Sequence, residues 1–146
     1  MKVTCAKICK LDRRRSVVTA VSRKLDKTNR RALARMTTKV FQYWKLTNSN
    51  QLAMLGLSNA SHSTLLRYRH GAPMASNRDL LERAGHILSI HKSLRLIFPQ
   101  DRDLAYAWMT QRNQAFHGKS PVEVISEWGF TGLLMIRTYL DRCRQH

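Results

Sequence analysis

Acidic residues are scarce in this chain. Only 9 Asp and Glu stand against 26 Lys and Arg in 146 residues, a formal net charge of +17. That excess implies a polyanionic partner, with nucleic acid ahead of an anionic membrane surface. No run of about 18 apolar residues occurs, so no helix is expected to span a bilayer. Cysteine is nearly absent and odd in number: Cys5, Cys9 and Cys143. Without paired spacing these exclude a disulfide framework and suit a reducing compartment, the cytoplasm. Cys5 and Cys9 have no His or second Cys pair nearby in sequence, so they read as free thiols rather than metal ligands. A Gly-rich phosphate loop is missing, as is any metal-spaced His/Cys cluster, and the acids are scattered singly. An enzyme, a metal centre and a bound cofactor are therefore not expected. The interleaved aromatics of single-strand binders are lacking too, which sets aside an RNA-associated protein.

What is present is enough to fold. Hydrophobic residues make up 43% of the chain, too many for a mainly disordered protein. The length suits one domain, or two small helical units sharing a core, and the patterning is all-α. Residues 1–35 form a basic leader holding twelve Lys and Arg against two acids. Apart from Val17, Val18 and Val21 it has no apolar stripe, and no h-region of a signal peptide follows its charges. Three readings stay open: a flexible arm that adds phosphate contacts, a helix packed on the body, or an extension ahead of a start at Met36.

Residues 36–75 read as a helix-turn-helix unit. Val40, Phe41, Trp44 and Leu46 give a short amphipathic segment, Asn48-Ser49-Asn50 a turn, and 51–55 a second short helix closed by Gly56. Leu52, Leu55 and Leu57 are its expected buried positions. A third helix starts near His62 or Ser63 and stops at Gly71, with Pro73 beyond. Leu65 and Tyr68, three apart, face the core. Ser63, Thr64 and Arg67 then face outward, where a recognition helix meets base edges, and Arg69 and His70 lie where phosphate contacts are common. The nine steps from Gly56 to Leu65 exceed the tight turn of the standard motif.

Residues 76–146 hold the long helix and a second helical unit. Ser76 or Asn77 caps, and Leu80, Leu81, Ala84, Ile87, Leu88, His91, Leu94, Ile97 and Phe98 recur in steps of three and four up to Pro99. His91 in that stripe reads as a hydrogen-bonded core residue, and Gly85 as a site of close helix packing. Asp101 or Asp103 opens a short helix with Trp108 as a core anchor. In Ser120-Pro121-Val122-Glu123, Ser120 caps, Pro121 takes the first helical position and Glu123 completes a capping box. Gly118 permits a positive φ just before. That helix runs over 121–128 to Gly129, and Thr131 is expected to cap the last one. Leu133, Leu134, Met135, Ile136 and Leu140 are too many apolar residues for one covered face, so that helix is buried or carries a partner-binding stripe.

Over roughly residues 46–144 the chain resembles the Xre/MbcA/ParS family of type II antitoxins. The likeness rests on Gly56-Leu57-Ser58 with 63–71, on His91-Lys92-Ser93-Leu94-Arg95-Leu96-Ile97-Phe98-Pro99, on Trp108, and on Arg137-Thr138-Tyr139-Leu140-Asp141. Its most specific element is Asn113-x-x-Phe116-x-Gly118-x-Ser120-Pro121. The family differs in often having proline where this chain has Gln114. The resemblance implies a two-part device. The N-terminal helices would bind double-stranded promoter DNA as an autorepressor; a homodimer is expected from the two-fold logic of helix-turn-helix operators. The C-terminal unit would occlude the active site of a RES-domain toxin that consumes NAD. It places Phe116, Gly118, Ser120, Pro121, Arg137, Tyr139 and Leu140 at the toxin. The competing reading is a stand-alone helix-turn-helix regulator whose C-terminal unit only dimerises it.

Overall fold

The computed structural model describes residues 25–145, and its regular elements are all helical. Helix α1 spans Lys27–Tyr43, α2 Asn48–Leu55, α3 His62–Arg69, α4 Arg78–Ile97, α5 Arg102–Ala107 and α6 Pro121–Gln145. Short 3-10 turns at Trp108–Thr110 and Gln114–Phe116 lie between the last two.

Helix α1 begins inside the expected leader. The Asp26 carboxylate accepts from Asn29 N at 2.7 Å and caps it. Arg30 donates to Met74 O at 2.9 Å, and Met74 N donates back to Arg30 O at 3.1 Å. Residues 27–35 are thus a helix packed on the body, because Ala34 begins the buried face continued by Thr37, Val40 and Phe41. Met36 is an exposed position within that helix. Cys5, Cys9 and the valines at 17, 18 and 21 lie outside the described residues.

Helix α2 starts earlier than its sequence suggests. Thr47, not the Asn48-Ser49-Asn50 cluster, is the cap, and those three residues are its first turn. At its end Gly56 takes φ 69°, and Leu57 N donates to Leu52 O at 2.9 Å, closing a Schellman-type stop. A side chain is doubly unwelcome at Gly56, since its Cβ would sit 2.8 Å from the Arg83 guanidinium. Leu52 and Leu55 are buried and Leu57 half-buried. The long connection to α3 is a turn of its own, with Ser61 N donating to Ser58 O at 3.0 Å. Helix α3 packs chiefly on α1 through Leu65 and Tyr68.

Helix α4 is the shared beam, about 30 Å long for its 20 residues. It is capped by Asn77 and touches α1, α2, α5 and α6, and α2 also packs directly on α6. Gly85 is not a close-packing site: it is exposed, and nothing lies within 4 Å of where a Cβ would stand. His91 is half-buried and stacks on Tyr43 and Tyr106, at 6.0 and 5.9 Å between ring centroids. Its Nδ1 has no hydrogen-bond partner among the described residues, so aromatic packing rather than hydrogen bonding seats it.

Helix α6 is two limbs. At Gly129 the backbone leaves helical values, with φ 58° and ψ −129°. Helical conformation resumes directly at Phe130, which leaves Thr131 inside the second limb rather than ahead of it as a cap. The second limb folds closely onto the first: a Cβ at Gly132 would lie 2.6 Å from Val124 O.

Candidate partner-binding surfaces

The loop over 113–121 is built by its own polar groups. Asn113 Oδ1 accepts from Ala115 N at 2.9 Å, and Asn113 O accepts from both Phe116 N and Gly118 N. Asn113 N donates to Lys119 O at 3.1 Å and shuts the loop. The reversal needs positive φ at His117 (55°) and Gly118 (80°). The capping box forms as its spacing predicts: Ser120 N donates to Glu123 Oε2 at 2.7 Å, and Glu123 N to Ser120 Oγ at 3.2 Å. The backbone N–H of Ser120 holds the Glu123 carboxyl below its ordinary pKa.

Phe116 is the plug of this loop. Its ring meets Tyr139 edge-on at 5.0 Å and Trp108 at 6.2 Å, while Trp108 and Tyr139 stack at 6.1 Å. Loop, α5 extension and second limb of α6 are therefore pinned by one aromatic triad. Of the seven residues the sequence singles out here, Phe116, Ser120, Pro121 and Leu140 are buried, and Gly118, Arg137 and Tyr139 are half-buried. They come together, but mainly as the interior that shapes this face rather than as its exposed surface. Arg137 bonds across to α4, its Nη1 lying 2.7 Å from His86 Nδ1, and it faces Asp141 at 3.9 Å.

The exposed side chains are others. Trp128 is 57% exposed, Met135 45% and Leu134 38%. Thr131, Leu134, Met135 and Thr138 follow the i, i+3, i+4, i+7 spacing of one helix face, opposite Leu133, Ile136 and Leu140. The sequence offered Leu134 and Met135 only as part of an apolar run. Trp128, just before the break, was not singled out. A shallow groove of about 560 Å³ between the start of α2 and α6 is lined by Asn50, Ser120, Glu123 and Glu127. Its acids are engaged: Glu123 in the cap and Glu127 with Lys119.

The Arg137 bond makes stability sensitive to acid. Burial first, and the Arg137 charge second, lower the His86 pKa, with Glu82 opposing. His86 thus stays neutral in the fold where the unfolded chain takes up a proton, near pH 6.5. Its contribution is present above that pH and lost as pH falls below it. The melting temperature should drop between pH 7.5 and 5.5. His86→Gln, which keeps an acceptor for Arg137, should shrink that drop in pH-dependent thermal melts. An equal drop in the variant would mean that His86 titrates alike folded and unfolded. His91, lowered by burial and then by Arg95, adds a share of the same sign.

On the other unit, the outer face of α3 presents His62, Ser63, Leu66, Arg67 and His70, all exposed, while Thr64 is half-buried. Arg69 is turned inward. It donates to Asn48 Oδ1 at 2.8 Å and Gln51 Oε1 at 3.0 Å, and Gln51 donates to Leu46 O at 2.8 Å. Through that one guanidinium nitrogen it braces α3 against the start of α2. His62 and Leu66 on this face were missed, although their four-residue spacing with His70 was legible.

Residues 93–145 match the model of the antitoxin Xre/MbcA/ParS C-terminal toxin-binding domain. Over this segment the chain is similar to that family. The matched residues take in the end of α4, the 113–121 loop, the aromatic triad and both limbs of α6. The segment similar to that toxin-binding domain is the part of the chain that carries the exposed Trp128, Leu134 and Met135. The chain is also 29% identical over 107 residues, 73% of its own length and 79% of the relative's, to the uncharacterised protein y4oB of Sinorhizobium fredii (strain NBRC 101917 / NGR234). Among the described residues no helix is long and apolar enough to cross a membrane.

Proposed function

We propose that this chain is the antitoxin of a type II toxin–antitoxin pair, acting in the cytoplasm as a homodimer. Its C-terminal unit occludes the active site of a RES-domain toxin that consumes NAD, and α2 with α3 represses its own promoter. The observation that carries the reading is the toxin-binding family match over 93–145, on a unit that exposes three large apolar side chains along α6. Trp128, Leu134 and Met135 are the docking side chains on this reading. The 113–121 loop holds the second limb in place beneath them. Occlusion requires no catalytic group and no cofactor from this chain. Support for the DNA arm is the net charge of +17 and the exposed Ser63, Arg67 and His70 of α3. Two-fold operators are the usual counterpart of such a unit, hence the dimer.

The test is co-purification with the product of the neighbouring gene, followed by NAD consumption with and without this chain. Stable association and loss of NAD consumption are expected. Arg67→Ala should weaken promoter binding by roughly tenfold or more, in line with one bidentate base contact, and leave toxin binding unchanged. Equal loss of both would sink the two-part division. Promoter binding without any association would leave a regulator whose C-terminal unit serves dimerisation.

A further inference from the structure

We infer that Leu66 reads thymine 5-methyl groups on the floor of the major groove, beside Arg67; this rests on the DNA-binding reading above. Leu66 is 50% exposed, while its helix neighbours Leu65 and Tyr68 are 1% and 4% exposed in the core. A lone exposed leucine is ordinary on a protein surface. The position of this one is not. It sits at the middle of the α3 outer face, one turn beyond His62 and Ser63 and one turn before His70, with Arg67 next to it. No acid occurs on α3, so the face is an apolar centre with polar and cationic surroundings.

That pattern matches the major groove feature by feature. Phosphates rim the groove and attract Arg and Lys. Its floor offers one apolar group, the thymine methyl, which an aliphatic side chain recognises by contact. Arg67 in the same turn suits guanine O6 and N7. With Arg69 folded back onto Asn48 and Gln51, base choice at the centre of α3 falls to Leu66 and Arg67. A thymine next to a guanine is therefore expected in each half-site. An acidic protein partner would find the same cations here, and discrimination by a single methyl group separates the two.

The experiment uses the full chain and one duplex, the DNA upstream of its own gene, synthesised once with thymidine and once with deoxyuridine. Uracil lacks only the 5-methyl. Wild-type affinity should fall on the uracil duplex by about fourfold per contacted methyl. Leu66→Ala should bind the thymine duplex correspondingly less well and lose the distinction between the two duplexes. Equal wild-type affinity for both duplexes would overturn the inference. So would a Leu66→Ala variant that keeps the full wild-type preference for thymine, because Leu66 would then act through folding or assembly. A wild-type chain that binds neither duplex better than an unrelated sequence would remove the DNA reading itself, and this inference with it.

Discussion

Gly132→Ala should destabilise the protein by about 2–3 kcal/mol, the upper part of the range for forcing an extra methyl into a packed site. For a chain of this size that is a fall of roughly 8 °C in melting temperature. The added Cβ would lie 2.6 Å from Val124 O and 2.9 Å from Ile125 Cα. Both are backbone atoms of the first limb of α6 and cannot rotate away. Relief requires the second limb to lift off the first, which opens the interior formed by Val124, Ile125, Leu133 and Ile136. Gly85→Ala provides the contrast on a helix of the same chain. With open space around it, the exchange should stabilise by up to about 1 kcal/mol through helix propensity. Thermal melts of the two variants beside wild type decide the matter. A Gly132→Ala protein as stable as wild type would mean that the limbs do not close on each other as described.

The second large effect separates residues that build the proposed toxin-binding face from those that form it. Phe116→Ala should cost about 3–4 kcal/mol of stability, since a nearly buried ring packed on Tyr139 and Trp108 leaves a cavity. Toxin binding by that variant should weaken only as far as the loop and second limb loosen. The pair Leu134→Glu and Met135→Glu should do the reverse. Both side chains are more than a third exposed, so stability should change by under about 1 kcal/mol. Two carboxylates in an apolar contact should weaken toxin binding by 100-fold or more, as expected for the centre of an interface. Melting temperature and a binding isotherm with the toxin are measured on each variant. Unimpaired binding by the folded double variant would move the docking face away from the second limb. Loss of binding by Phe116→Ala beyond what its unfolding explains would make the loop a direct contact.

The helices and their stops were legible in the sequence because their causes are local. The capping box of Ser120 and Glu123, the Asn77 cap, the stop at Gly56 and the break at Gly129 depend on neighbours within a few residues. The core face of α4 follows from a 3.6-residue period, and the family resemblance rests on contiguous motifs. The net charge needs no structure either. The sequence was less informative where the cause lies far along the chain. Helix α1 begins at Lys27 because Asp26 caps it and Arg30 bonds residue 74, and no periodicity in a basic stretch announces that contact. Arg69 looks like any surface cation until α2 brings Asn48 and Gln51 against it.

The same limit governs the candidate site. Phe116, Ser120 and Pro121 form the most distinctive motif of the chain, and distinctiveness alone does not tell a contact residue from a structural one. Tertiary packing assigns Phe116 to the aromatic triad and turns Ser120 and Pro121 inward. It leaves Trp128, Leu134 and Met135 outside, where an apolar run alone cannot say which side faces water. By itself the sequence determined the all-α class, several helix stops, the charge and the family likeness, since each is set by composition or by residues close in the chain. Only the tertiary structure decided which side chains are spent on the interior and which remain for a partner, because burial depends on which distant segments meet.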